Sequence, residues 1–83
     1  MTRKVFVKVL AEFDQQGRLW PRSIVWEDGR QYGVDRVLDV APGVSLKAGG
    51  CGIRYTCRIE GRQVYLFQDE NRWFMEGRDD FAT

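Results

Sequence analysis

IRYTCRIEGRQVYLFQDENRWFME, residues 53–76, alternates apolar and polar side chains with a period of two and is broken twice by turn-forming residues. Alternation of this kind marks half-buried strands rather than helices. The stretch therefore predicts strands over 53–60, 63–69 and 72–77, joined by two-residue turns at Gly61-Arg62 and Glu70-Asn71. Those turns set Glu60 opposite Gln63, Ile59 opposite Val64 and Cys57 opposite Leu66. In the second hairpin they set Asp69 opposite Arg72, Gln68 opposite Trp73 and Leu66 opposite Met75. One face then collects Ile53, Tyr55, Cys57, Ile59, Val64, Leu66, Trp73 and Met75, which is a core. The other collects Arg54, Thr56, Arg58, Tyr65, Phe67, Asp69, Arg72, Phe74 and Glu76.

Period-two alternation continues toward the amino terminus. Val5, Val7, Val9, Ala11 and Phe13 share one side of a first strand, closed by the turn DQQGR. A second strand covers 19–26, where Pro21 marks an edge, a strand start or a bulge. Glu27-Asp28-Gly29 form a three-residue loop with Gly29 in the left-handed region, because only that loop puts Ile24, Trp26, Tyr32 and Val34 on one face. A third strand is expected over 31–40. The sum is an all-β single domain over 1–83, with 78–83 as a frayed tail. About six antiparallel strands in a meander would close into an SH3-like or OB-like small barrel, since closure removes exposed edges.

An 83-residue chain with 43% apolar and 30% charged residues has the composition of an ordinary globular domain. Its net charge of +1 gives no bulk signal for nucleic acid, but the charge is unevenly spread. Lys47, Arg54, Arg58 and Arg62 stand against Glu60 alone in residues 41–68, whereas 69–83 is acidic. Ten of the thirteen cations are arginine, which favours bidentate and stacked contacts. The absence of histidine excludes Cys-His and Ser-His-Asp nucleophile pairs. Two cysteines without paired spacing support neither a metal site nor a disulfide framework, and no cofactor is implied. No apolar run is long enough to span a bilayer. The opening MTRKVFVKVLAEFD alternates with Lys8 and Glu12 and offers no small-residue cleavage site, so a cytoplasmic chain without a leader is expected.

Two clusters are candidate sites. Arg54, Arg58 and Arg72 interleave with Tyr65, Phe67 and Phe74 on one sheet face, Arg58 beside Tyr65 and Phe67 beside Phe74. Rings stack on bases while guanidinium groups meet phosphates, so single-stranded nucleic-acid binders use this combination. The competing structural use of the same rings is packing under other strands or against a protein partner, and Asp69 and Glu76 weaken a phosphate track. In KAGGCG, Lys47 lies near Gly49, Gly50 and Gly52, whose amides would form an anion nest, although the loop lacks phosphate-loop spacing. A flexible connection is the plainer use of those glycines. Cys51, near Lys47 and Arg54, is a candidate reactive thiol.

The segments SIVWEDGRQYGVDRVLDV and GIRYTCRIEGRQVYLFQDENRWFME resemble a small family of bacterial β proteins, mostly from Gram-positive anaerobes, to which no activity is attached. Trp26, Gly29-Arg30, Tyr32, Val34, the 48–54 glycine loop, Tyr55, Tyr65 and Trp73-Phe74 carry the resemblance. The piece W-x-x-G-R-x-Y-x-V is also similar to small β domains associated with error-prone DNA polymerase genes, which implies a nucleic-acid role. The expectation is a non-catalytic binding module, nucleic-acid-associated through the Arg/aromatic face. The alternative is a protein-interaction or homodimerisation module using that face, with a small-molecule or thiol enzyme behind both.

Overall fold

The computed structural model describes residues 2–44 and 51–78. They form β1 (Thr2–Phe13), β2 (Leu19–Val25), β3 (Gln31–Gly33), β4 (Arg36–Val44), β5 (Cys51–Ile59), β6 (Arg62–Asp69) and β7 (Arg72–Arg78). All seven belong to one antiparallel sheet in the order β3-β2-β1-β7-β6-β5-β4. No helix occurs among the described residues, and so none is long and apolar enough to cross a membrane.

Seven strands replace the six expected because the segment 31–40 changes partner midway. β3 pairs with β2 at one end of the sheet, and β4 pairs with β5 at the other. Two consecutive residues make the transfer: the Val34 amide donates to the Arg22 carbonyl, and the Asp35 amide donates to the Arg58 carbonyl, each at 2.8 Å. Neighbouring residues can bond to opposite ends of a seven-stranded sheet only if the sheet curls until its ends meet. The result is a curled half-barrel, drawn together at residues 34–35.

The concave side holds the core: Val5, Val7, Ile24, Trp26, Tyr55, Cys57, Ile59, Val64, Leu66 and Met75, flanked by Val9, Tyr32, Val34, Val37 and Trp73. Burying side chains of this size contributes about 1.5–3 kcal/mol each, enough for one small domain. Ala11 and Phe13, expected on the core side, are exposed. β1 passes a register shift between Leu10 and Ala11 and then runs beyond the core. Pro21 sits at that shift, where one residue of β2, Arg22, is skipped, so its position is the bulge.

The loop 27–29 forms as expected: Gly29 has φ 87°, the Trp26 amide donates to the Arg30 carbonyl at 2.8 Å, and Ile24 lies opposite Tyr32. The first carboxy-terminal turn differs by one position. Its central residues are Glu60 (φ 52°) and Gly61 (φ 73°), which pairs Ile59 with Arg62 and Cys57 with Val64. A tight turn with positive φ at both centres favours glycine second, so Glu60 takes the first place and Gly61 the second. The second turn, Glu70-Asn71, gives the register expected, with Asp69 opposite Arg72 and Leu66 opposite Met75.

Candidate functional site: the outer face of the sheet

The convex face carries one continuous cross-strand row. Phe6 of β1 lies opposite Phe74 of β7, Phe74 opposite Phe67 of β6, and Phe67 opposite Arg54 of β5. Phe67 and Phe74 stack with centroids 5.1 Å apart and planes inclined by 14°, and Phe6 meets Phe74 edge-on at 5.9 Å. Both arrangements suit the ring quadrupole. Phe67 (5% exposed) and Phe74 (2%) are buried, yet they stand apart from the concave core. They form a second, smaller cluster on the opposite side of the sheet.

Cations lie over several rings of this face. Lys4 Nζ is 4.5 Å from the Phe74 centroid and 5.6 Å from that of Phe6. The Arg72 guanidinium lies 4.5 Å from the Phe6 centroid, and that of Arg54 lies 5.2 Å from Tyr65. These distances are within cation–π range, and the alkyl stems of such side chains can shield apolar surface below them. Register would allow Lys4 to meet Glu76 and Arg72 to meet Asp69, directly opposite. Neither forms an ion pair among the described residues, whereas Arg22–Glu12 and Arg30–Asp28 do, at exposed positions. Arg54 Nε and Glu76 Oε2 are buried without hydrogen-bond partners, a costly state for each.

Of the residues singled out in the sequence, Arg54, Tyr65, Phe67, Arg72 and Phe74 come together here. Arg58 does not lie beside Tyr65: the shifted turn pairs Tyr65 with Thr56 and Arg58 with Gln63. Arg58 instead stands directly across from Arg36 of β4, both exposed. The rings divide by accessibility. Phe67 and Phe74 are buried, whereas Tyr65 (44% exposed) and Phe6 (47%) reach solvent with cations beside their rings. Phe6 and Lys4 escaped the sequence reading because their place beside β7 depends on which strand neighbours β1. The signal available was their own alternation, which sets Lys4, Phe6 and Lys8 away from Val5 and Val7.

The other candidates fare differently. Lys47, Gly49 and Gly50 of the anion nest lie outside the described residues, as does the Cys51 side chain. Gly52 is part of β5, opposite Gly43, and a Cβ there would meet the Gln68 carbonyl oxygen at 2.2 Å. Close approach of β6 accounts for that glycine. Cys57 is a free thiol deep in the core, and burial pushes it up to about 11, far from a nucleophile's range. Among the described residues no three acidic, cysteine or histidine side chains group as metal ligands.

No protein-family model, curated protein or solved structure matches the chain. What the outer face does has to be read from its own chemistry.

Proposed function

We propose that the protein is a non-catalytic module whose convex face binds single-stranded nucleic acid. One observation carries this: Lys4, Arg54 and Arg72 sit over aromatic rings, among them the two exposed ones, Phe6 and Tyr65, and form no ion pair among the described residues. Lys8, Arg36 and Arg58 share the face and also lack ion pairs among the described residues. Asp39, Asp69 and Glu76 reduce its positive charge without cancelling it. Backbone phosphates would meet the cations, and bases would lie on Phe6, Tyr65 or a guanidinium plane.

Spacing favours a single strand over a duplex. Phe6 and Tyr65 are separated by two strand spacings and two residues along the strand, roughly 12 Å from standard sheet dimensions. Stacked nucleotides advance only about 3.4 Å per step. Bases reaching both rings must therefore be splayed, which a duplex forbids. The free Cys57 thiol suits the reducing cytoplasm.

The test is fluorescence anisotropy with a labelled oligothymidylate of about twelve nucleotides and the matching duplex. With three phosphate contacts the single-strand log–log salt slope should be roughly −2, a hundredfold loss between about 20 and 200 mM salt. Equal affinity for duplex, or affinity indifferent to salt, would sink the proposal. A second use of the face, as a protein or homodimer interface, draws on the exposure of both Phe6 and Leu10 along β1. Sedimentation showing a strict monomer at high concentration disposes of the homodimer form.

A further inference from the structure

We infer that the concave side of the half-barrel carries a second site, for a small planar aromatic compound bearing an acidic group. It is independent of the convex face and does not rest on the nucleic-acid proposal. A cleft of about 480 Å³ opens where the β1–β2 turn approaches β4 and β5, within the size range of small-molecule sites. Val40 and Ile53 line it. Register places Val40 opposite Tyr55 and Ile53 next to the core row, yet they are 42% and 39% exposed. Inward-pointing apolar side chains would be covered if the barrel closed at this end. Here they form an accessible apolar floor.

Two aromatic side chains at the cleft are fixed by hydrogen bonds rather than by packing alone. Tyr55 donates its hydroxyl to the Leu19 carbonyl at 2.7 Å, and Trp20 donates its indole N–H to Asp14 Oδ2 at 2.9 Å. Asp14 Oδ1 accepts the Gln16 and Arg18 amides, at 2.8 and 2.9 Å, so the whole turn holds the indole. Rings locked before a ligand arrives bind with a smaller ordering cost. Polar groups at the cleft come from Arg18 and Gln68. The Gln68 amide nitrogen already donates to the Glu70 carbonyl at 2.7 Å, which orients its oxygen as an acceptor. Asp14 keeps its charge and attracts Arg18 from the same turn, but no ion pair ties the two among the described residues, so the exposed Arg18 is the cation at the cleft that an acidic substituent complements.

The probes are indole-3-acetate and its uncharged parent indole, titrated into the ¹⁵N-labelled full chain. Indole-3-acetate should shift the Trp20 indole N–H and the amides of Leu19, Val40, Ile53 and Gln68. Arg18→Gln should weaken indole-3-acetate about fivefold, the scale of an exposed ion pair, and leave indole unchanged. Val40→Glu, a change at a solvent-reached position that keeps the fold, should abolish binding of both. Shifts that are absent, or that fall on the convex face, overturn the site. An equal loss of both probes in Arg18→Gln overturns its preference for an acid. An oligonucleotide that fails to bind leaves these shifts unaltered, so the two proposals fail separately.

Discussion

Replacing Phe67 by alanine tests whether the convex aromatic cluster is part of what holds the fold together. Phe67 is 5% exposed, stacked on Phe74 at 5.1 Å and directly across from Arg54, with Lys4 over the neighbouring Phe74 ring. Buried Phe→Ala changes cost about 3–5 kcal/mol, depending on how far the site collapses. Side chains as mobile as Arg54 and Lys4 can settle into the space, which argues for the lower end, about 3 kcal/mol. A chain of this length has a total stability of about 4–12 kcal/mol, so the loss is a large fraction of the whole. It should lower the melting temperature by about 12–24 °C in a domain of this size. Phe67→Leu keeps most of the apolar area and should lose only the ring stacking, about 1 kcal/mol. Urea unfolding followed by far-ultraviolet circular dichroism measures both, with Leu66→Ala, on the adjacent and fully buried core position, as the reference at about 2–5 kcal/mol. A Phe67→Ala loss below about 1 kcal/mol would refute the reasoning, because a ring that contributes so little is not a structural floor.

Three further outcomes are expected. Cys57 holds its proton more tightly in the folded chain than its ordinary value of 9.0, so its stabilising share is complete below pH 9 and disappears as pH rises toward about 11. Melts across that window should fall, and Cys57→Ala should flatten the fall. Asp14 is held below the ordinary aspartate value of 3.8, chiefly by the Trp20 indole, then by the Arg18 amide. Its contribution is present above that value and lost as pH drops through the lowered one; the Trp20 indole resonance should follow this midpoint, and Trp20→Phe should move it back up. Tyr55→Phe removes the hydrogen bond to Leu19 and should cost about 1 kcal/mol in the same urea assay, without altering the strands seen by circular dichroism.

Face assignment proved more legible in the sequence than cross-strand partnership, and residues 53–76 show why. The expected turn at Gly61-Arg62 was one position late, which changes every cross-strand partner in that hairpin by two residues. A shift of two preserves alternation, so Tyr55, Cys57, Ile59, Val64, Leu66 and Met75 still enter the core. The pairing of Arg58 with Tyr65 did not survive the same shift. Partner exchange at Val34-Asp35 does leave a mark that a single strand over 31–40 overlooks: the alternation of Tyr32 and Val34 breaks at Arg36, Val37 turns inward, and a second irregularity follows before Asp39. Ile53 and Val40 have inward parity but lie at an open end, and parity alone carries no information about where a barrel stops closing. Phe6 joined the outer cluster through the β1–β7 pairing, a contact between the two ends of the chain that local alternation cannot announce. The cations over this face, Lys4, Arg54 and Arg72, likewise come from three different strands, so their meeting with Phe74, Tyr65 and Phe6 follows only from strand pairing.

The most direct test of the convex face as a nucleic-acid surface is an amide chemical-shift map with oligothymidylate at low salt. The expected shifts fall on Lys4 to Lys8 of β1, Arg54 to Arg58 of β5, and Tyr65 to Phe74 across β6 and β7, and they fade as salt is raised. No shift at millimolar oligonucleotide, or shifts confined to the concave cleft around Trp20 and Ile53, would contradict it.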